Sequence, residues 1–347
     1  MSKWQFACDF MSVIRVYKLP VVLKNDDEPI IVSPAYTVFE VNNPNELHPE
    51  YLMMWFRRAE FDRYAVFKCD SAIRGGFDWE ELCDTTIPVP SIEKQREIVK
   101  EYNVIVDRIN LNNRLIQKLE ETAQAIYKRW FVDFEFPDEN GNPYKSNGGE
   151  MEFNKEFDNE IPKGWSYDPI GNYVSLSQGL VINATTNHLI KDKGIPLLRI
   201  TDLINDTQTI FIDESVSEKN IAKEEDIIIT RTGQVGLVFR NKKGVIYNNC
   251  FKITPNKLLL NKDYLFWFLK KESTCYSMIE LASGSAQLDL THKSFSTLPL
   301  IVPETNTQNY FSKISVPIEN HKELTFSQNR KLIDLKNILL SKIATIN

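Results

Sequence analysis

The sequence predicts an α+β protein: two mixed heads separated by an antiparallel coiled coil of two long helices. Three observations predict it. The chain repeats itself at an offset near 213 residues, each repeat closes on a long helical seam, and short β-branched runs fill what lies between. Internal repeats govern every later assignment, so they come first.

Tyr51-Leu52 and Trp55-Phe56-Arg57-Arg58 match Tyr264-Leu265 and Phe268-Leu269-Lys270-Lys271. At the same offset Ile87-Pro88-Val89-Pro90 meets Leu300-Ile301-Val302-Pro303, and Gln95 meets Gln308. Ser33–Val38 resembles Asn248–Ile253, Ser71-Ala72 resembles Ser285-Ala286, and Asn113-Arg114 with Leu119 resembles Asn329-Arg330 with Leu335. Each match is weak alone. Their common order and nearly constant offset make the duplication specific.

From Ile98 the apolar positions Tyr102, Ile105, Ile109, Ile116, Leu119, Ala123, Ile126 and Trp130 step by alternating four and three, with Asn112 as one polar insertion. That is a heptad seam. The second seam runs through Phe311, Ile314 and Ile318, crosses a polar middle (His321, Thr325, Gln328), and resumes at Leu332, Leu335, Leu339 and Ile343 or Ile346. Pro317 should kink or tighten its early part. Strands are expected in Val32–Val41, Ile195–Thr201, Asp226–Thr230, Gly236–Arg240 and Gly244–Ile253, and helices at Pro49–Tyr64 and Lys262–Leu281. The expected divisions are a first head 1–86, a helix 87–136, an acidic linker 137–160, a second head 161–303 and a C-terminal helix 304–347.

The 347 residues are 42% apolar and 25% charged, a globular composition that excludes collagen-like and wholly disordered chains. Five dispersed cysteines, with no Cys-x-x-Cys pair, fit neither a disulfide framework nor a zinc site. No metal is expected. No stretch is long and apolar enough to span a membrane, and a cytoplasmic protein is expected. The net charge of −6 argues against nucleic acid when taken whole, but it is unevenly placed. Segment 137–160 holds two basic and seven acidic residues, whereas 161–300 carries 16 basic and 14 acidic.

Catalytic signatures are missing: there is no Walker A sequence, no Gly-x-Gly-x-x-Gly cradle and no Gly-x-Ser-x-Gly elbow. What remains is hydrogen-bonding loop chemistry. Arg231, Thr232 and Gln234 sit around two glycines at a strand end, and Arg and Gln can engage guanine and adenine edges bidentately. Ser283, Ser285 and Gln287 could hold phosphate oxygens, with His292 and Lys293 close behind and Lys242 and Lys243 on a neighbouring turn. In the first head the basic candidates are Arg57, Arg58, Arg63, Lys68 and Arg74, with Ser71.

Taken together, the pattern resembles the DNA specificity subunits of type I restriction–modification systems. The residues carrying the resemblance are Ile87–Gln95, Asn113–Leu119, Ala125–Phe131, Ile161-Pro162-Lys163-Gly164-Trp165 and Gly284-Ser285-Ala286-Gln287. The resemblance implies a non-catalytic adaptor with two target-recognition domains, each reading half of a bipartite sequence in double-stranded DNA. It also implies that the paired helices dock two modification subunits, which bring S-adenosylmethionine and methylate adenine. Restriction subunits using ATP and Mg would join for cleavage. The rival class is a coiled-coil scaffold or decayed paralogue that binds modification subunits without reading DNA. One departure stands out: 87 residues, Ile161–Tyr247, precede Asn248, against 32 before Ser33. The first head is therefore expected to be incomplete at its N-terminus, leaving the second as the competent reader.

Overall fold

The computed structural model describes residues 1–69, 77–284 and 287–345. These form two units. The first comprises Met1–Gln117 with the chain from Lys322 onward, and the second Lys118–His321. Both long helices, Ile92–Phe131 (40 residues) and Thr305–Lys342 (38 residues), contribute one part to each unit.

In the first unit a three-stranded antiparallel sheet places Gln5–Cys8 between Val21–Leu23 and Thr37–Glu40. Strand alternation sends Phe6 and Cys8 to one face, where they pack with Phe39, Tyr51, Phe56 and Phe61 in the main core. Helix Pro49–Phe56 starts on a proline whose missing N–H costs nothing there, and the His48 ring accepts from the Glu50 N–H at 3.3 Å. A second helix, Ala59–Lys68, follows after a break at Arg57-Arg58, where one continuous helix was expected. The core is closed by Ile98, Val99 and Tyr102 of the central helix and by Leu340 and Ile343 near the C-terminus. Within this unit the two helices therefore run antiparallel. Further along, Asn112 donates to Asn329 at 2.9 Å, and Asn329 donates to Asn113 at 2.8 Å.

The second unit holds two larger sheets. In one, Ile227–Thr230 lies between Val238–Arg240 and Cys250–Pro255, and Val174–Gln178 pairs with the far edge of the latter, all antiparallel. The other has five short strands, among them Ile195–Leu198 and Gly244–Ile246, which pair in parallel. Gly244–Ile253, expected as one strand, is broken by a turn after Ile246, so its two halves serve different sheets. Ile227, Ile229, Phe251 and Ile253 face a core of Tyr264, Leu265 and Phe268 together with Tyr127, Phe131 and Phe311 of the long helices. The opposite face, with Ile228 and Cys250, packs on Leu198, Ala222 and Ile246 of the second sheet and on Leu203 of the helix Ile200–Asn205. Segment 137–160, expected as a bare linker, is folded into this unit. Tyr144 stacks on Phe136 at 4.5 Å, Met151–Asn154 and Asn159–Pro162 form a hairpin, and Met151 and Phe157 rest on the core.

The duplication holds at the level of single hydrogen bonds. Gln95 is wholly buried; its amide donates to the Glu46 and Pro90 carbonyls at 2.8 Å and accepts from the His48 N–H at 2.8 Å. Gln308, equally buried, donates to the carbonyls of Leu259 (3.2 Å) and Pro303 (2.7 Å) and accepts from the Asn261 N–H at 2.7 Å. Every partner is displaced by the same 213 positions. Tyr51 and Tyr264 likewise donate to the Pro88 and Ile301 carbonyls. The three-stranded sheet of the first unit repeats the Ile227–Thr230, Val238–Arg240 and Cys250–Pro255 arrangement strand for strand. Among the described residues of the first unit, however, no fourth strand lies beside Thr37–Glu40 and no second sheet exists. Its outer face leaves Val22 and Val38 at 51% and 41% exposure, where the corresponding Phe239 and Lys252 of the second unit are half-buried and buried.

The C-terminal seam departs from the expected one. Leu335 is 52% exposed and His321 and Gln328 also face solvent, while Ser315, Glu319, Lys322, Thr325 and Asn329 are buried. The helix runs through Pro317 without a break. On the central helix Ile105, Ile109, Ile116, Leu119 and Ile126 are half-buried, and Tyr102, Ala123 and Trp130 are buried.

Two outcomes follow from this packing. Replacing Gln308 or Gln95 by Leu removes the side-chain partner of three backbone groups, so either change should lower stability by about 2–4 kcal/mol in denaturant titration. Lysine substitutions should separate the two sheet faces: Ile228→Lys should cost about 3 kcal/mol or more, whereas Val38→Lys should change stability by less than about 0.5 kcal/mol.

Candidate nucleic-acid interface

The polar loops expected to carry function lie on one end of the second unit's antiparallel sheet. Ile227–Thr230 ends in the turn 231–236, whose tight geometry needs Gly233 (φ +77°) and Gly236 (φ +89°). The Thr230 hydroxyl donates to the Gln234 carbonyl inside this turn. Beside it lie Ser283 and Asp289, joined to each other by reciprocal backbone bonds, and the Leu290 N–H donates to the Arg231 carbonyl at 2.9 Å. Thr232 is bridged to Asp289, and a Cβ on Gly233 would sit 3.7 Å from the Gln287 amide nitrogen. Gln234, Ser283 and Gln287 are exposed and Thr232 half-buried, so four hydrogen-bonding side chains share one rim.

Arg231 does not join that rim. Its guanidinium grips Asp289 through two bonds, Nε to Oδ1 at 2.8 Å and Nη2 to Oδ2 at 2.6 Å, and Nη1 reaches Gln178 Oε1 at 2.5 Å. Its side chain is 18% exposed. The expectation that Arg231 engages a base edge is thus corrected, because its planar fork is occupied within the protein. His292 is corrected similarly: it lies edge-on to Phe251 at 5.0 Å, and its buried Nε2 has no hydrogen-bond partner. Burial, then the neighbouring Arg231, holds the His292 ring below the ordinary histidine pKa.

The remaining candidates scatter. Lys293 is exposed. Lys242 and Lys243 lie on the turn at the other end of strand Val238–Arg240, paired with Asp206 at 2.6 Å and Glu224 at 2.7 Å, away from Thr232 and Gln234. In the first unit Arg58 is buried against Trp55, with its guanidinium 4.2 Å from the ring, so it is no solvent-facing phosphate contact. Arg57 donates to the Tyr102 hydroxyl at 3.1 Å, Arg63 pairs with Glu60 at 3.4 Å and Lys68 with Glu81 at 2.9 Å. Ser71, Arg74 and Ser285 lie outside the described residues.

Sequence reasoning missed Gln178 and Asp289. Gln178 ties the cluster to its surroundings: its amide donates to the Asn248 carbonyl at 3.0 Å, and its own carbonyl accepts from Asn220 at 3.1 Å. It opens onto a groove of about 460 Å³ lined by Gly179, Val181, Asn183, Thr186, Lys219 and Asn220. Amides, hydroxyls and one ammonium on such a surface suit nucleic-acid edges and phosphates. Among the described residues no group of three or more His, Cys, Asp or Glu could hold a metal ion. Burial pushes the Cys8 and Cys250 thiols up to about 12, so neither is a thiolate at neutral pH. No helix among the described residues is long and apolar enough to cross a membrane.

Residues 162–344, which contain this rim and the helix that follows it, match the family model described as the type I restriction modification DNA specificity domain. The chain belongs to that family. A relative in it is the HindI specificity subunit of a type I restriction enzyme from Haemophilus influenzae, 22% identical across 92% of this chain and 81% of that protein. The MjaIX specificity subunit of Methanocaldococcus jannaschii is 28% identical over 53% of this chain and 42% of its own length. Among solved structures, the S subunit of the type I restriction–modification system of M. genitalium aligns over 99% of this chain and 83% of its own, with TM-score 0.61 and 13% identity. This likeness establishes the α+β specificity-subunit fold for the chain.

His292 and His48, both lowered chiefly by burial, set a pH dependence. In the unfolded chain each takes up its proton near pH 6.5, whereas the folded protein resists it until lower pH. The stability they contribute is therefore complete above about pH 6.5 and is lost as pH falls through their lowered folded values. Thermal melts should show Tm falling from pH 7 to pH 5, and His292→Gln should flatten part of that fall.

Proposed function

We propose that this chain is the sequence-reading subunit of a type I restriction–modification complex, directing partner chains to methylate adenine or cleave at a bipartite target in double-stranded DNA. The observation that carries this reading is that the family match spans the head bearing the clamped polar rim. Thr232, Gln234 and Gln287 are the side chains offered to base edges, while Ser283 and Lys293 are offered to the phosphate backbone. The chain itself performs no bond chemistry. Two modification subunits, docked on the long helices, supply S-adenosylmethionine, and restriction subunits supply ATP- and Mg-dependent translocation and cleavage, all in the cytoplasm. Reading is assigned chiefly to the second head. The first, among its described residues, has neither a second sheet nor an unengaged cluster of arginines.

The test is genome-wide mapping of adenine methylation in cells carrying this chain with its modification partner. Methylation should appear at one motif in which one half-site is strongly specified. Two equally specified halves would overturn the unequal roles of the heads. Stable binding to modification subunits, with neither methylation nor salt-dependent, sequence-selective DNA retention, would establish the scaffold reading instead.

A further inference from the structure

Arg231 holds the reading rim in shape without belonging to it. It joins three pieces of chain that share no local sequence: the turn 231–236 it belongs to, the 283–289 segment through Asp289, and strand Val174–Gln178 through Gln178. The joint is directional. A guanidinium meeting a carboxylate through two parallel N–H bonds fixes distance and angle together, which an ammonium cannot do. Main-chain bonds complete it: the Arg231 N–H reaches the Asn249 carbonyl at 2.9 Å, and the Arg231 carbonyl receives the Leu290 N–H at 2.9 Å. On either side of the joint stand the half-buried Thr232 and exposed Gln234 on one strip, and the exposed Ser283 and Gln287 on the other. Gly233 and Gly236 lower the resistance of their turn to deformation, so its set depends on an outside anchor. Beneath lies His292 with an unbonded Nε2, a floor that supplies no hydrogen bond to replace the anchor.

We infer that Arg231, with Asp289 and Gln178, is a positioning residue for sequence discrimination, setting the spacing between the Thr232–Gln234 turn and Gln287 so that both meet the same few base pairs. This rests on the proposed DNA-reading function of the second head. Bidentate base recognition tolerates little displacement. Loosening the joint should therefore degrade the difference between right and wrong sequences far more than the attraction common to all DNA.

The experiment uses the full chain assembled with its modification subunits and a pool of randomised duplexes, followed by titration of the recovered duplex against a scrambled one at several salt concentrations. Arg231→Lys keeps the charge and removes the fork. Asp289→Asn keeps the shape and removes the charge, and Thr232→Val serves as a direct-contact control. For Arg231→Lys and Asp289→Asn the ratio of specific to scrambled affinity should fall about tenfold or more, from loss of the contact geometry. Affinity for scrambled duplex and the salt slope should stay as in the parent chain. The double variant should be no worse than either single one, since both break the same joint. Thr232→Val should relax one base position only.

An unchanged ratio in Arg231→Lys would overturn the inference. So would an equal loss on both duplexes with the salt slope reduced by about one, which marks a direct phosphate contact. If Arg231→Lys melts below the assay temperature, Gln178→Met, which leaves the Arg231–Asp289 fork in place and removes the third contact together with the Gln178–Asn248 bond, carries the same expectation and the same refutation. A parent complex showing no preference for any duplex would refute the reading function itself, before any variant is measured, and this inference with it.

Discussion

A buried side-chain amide at the root of each long helix is the constraint on which the rest of the structure depends. Where a head meets its helix, main-chain groups from two segments must leave water together, and unpaired they would cost more than most contacts return. Gln95 and Gln308 meet this need with three bonds each, every one to backbone. A glutamine suits the position because it carries both donor and acceptor with no charge to desolvate. Its reach spans the short Pro-containing approach to the helix and the loop ahead of the capped helix. The recognition-like loops are held, several elements away, by a sheet whose core rests on this junction.

The second notable force is polar as well. Between the long helices, the first unit buries the Asn112–Asn329 amide pair, and Asn329 in turn donates to the exposed Asn113. In the second unit Arg240 is 7% exposed and pairs with Asp263 at 2.8 Å and Glu319 at 3.4 Å. Apolar side chains at these places would pack at least as strongly, but they would tolerate many alignments. Buried polar partners penalise every alignment except the one that pairs them, which makes them suited to fixing register.

These forces explain what could be read from the sequence. The duplication was legible because Gln95 and Gln308, the paired Pro motifs and the tyrosines that donate to them are all local landmarks at one offset. Their bonding roles were not legible, since a buried glutamine and an exposed one look alike in a string. The C-terminal seam was misplaced at Leu335 because an apolar residue was weighted above Lys322 and Asn329, while the facing helix decides which are covered; Thr325, placed in the seam, is buried as expected. The ion pair of Arg231 was not legible either. Its partner Asp289 lies 58 residues away and Gln178 lies 53 away, and neither separation leaves a periodic trace. The turn between Gly244–Ile246 and Cys250–Pro255 escaped notice for a related reason. Both halves are β-branched or apolar, so composition runs smoothly across a point where the chain changes sheets.

The interleaving of the two units also bears on biosynthesis. The second unit is a single uninterrupted stretch, Lys118–His321, whereas the first needs both the amino-terminal residues and those from Lys322 onward. Leu340 and Ile343 fill the core around Phe6, over three hundred positions away in sequence, and around Tyr51. On a ribosome, residues 1–117 must therefore wait, with part of their apolar interior uncovered, until Leu340 and Ile343 have emerged. Of the two units, the one whose synthesis starts sooner is the later to finish folding, and its exposure to chaperones and proteases is set by how long Lys118–His321 takes to synthesise.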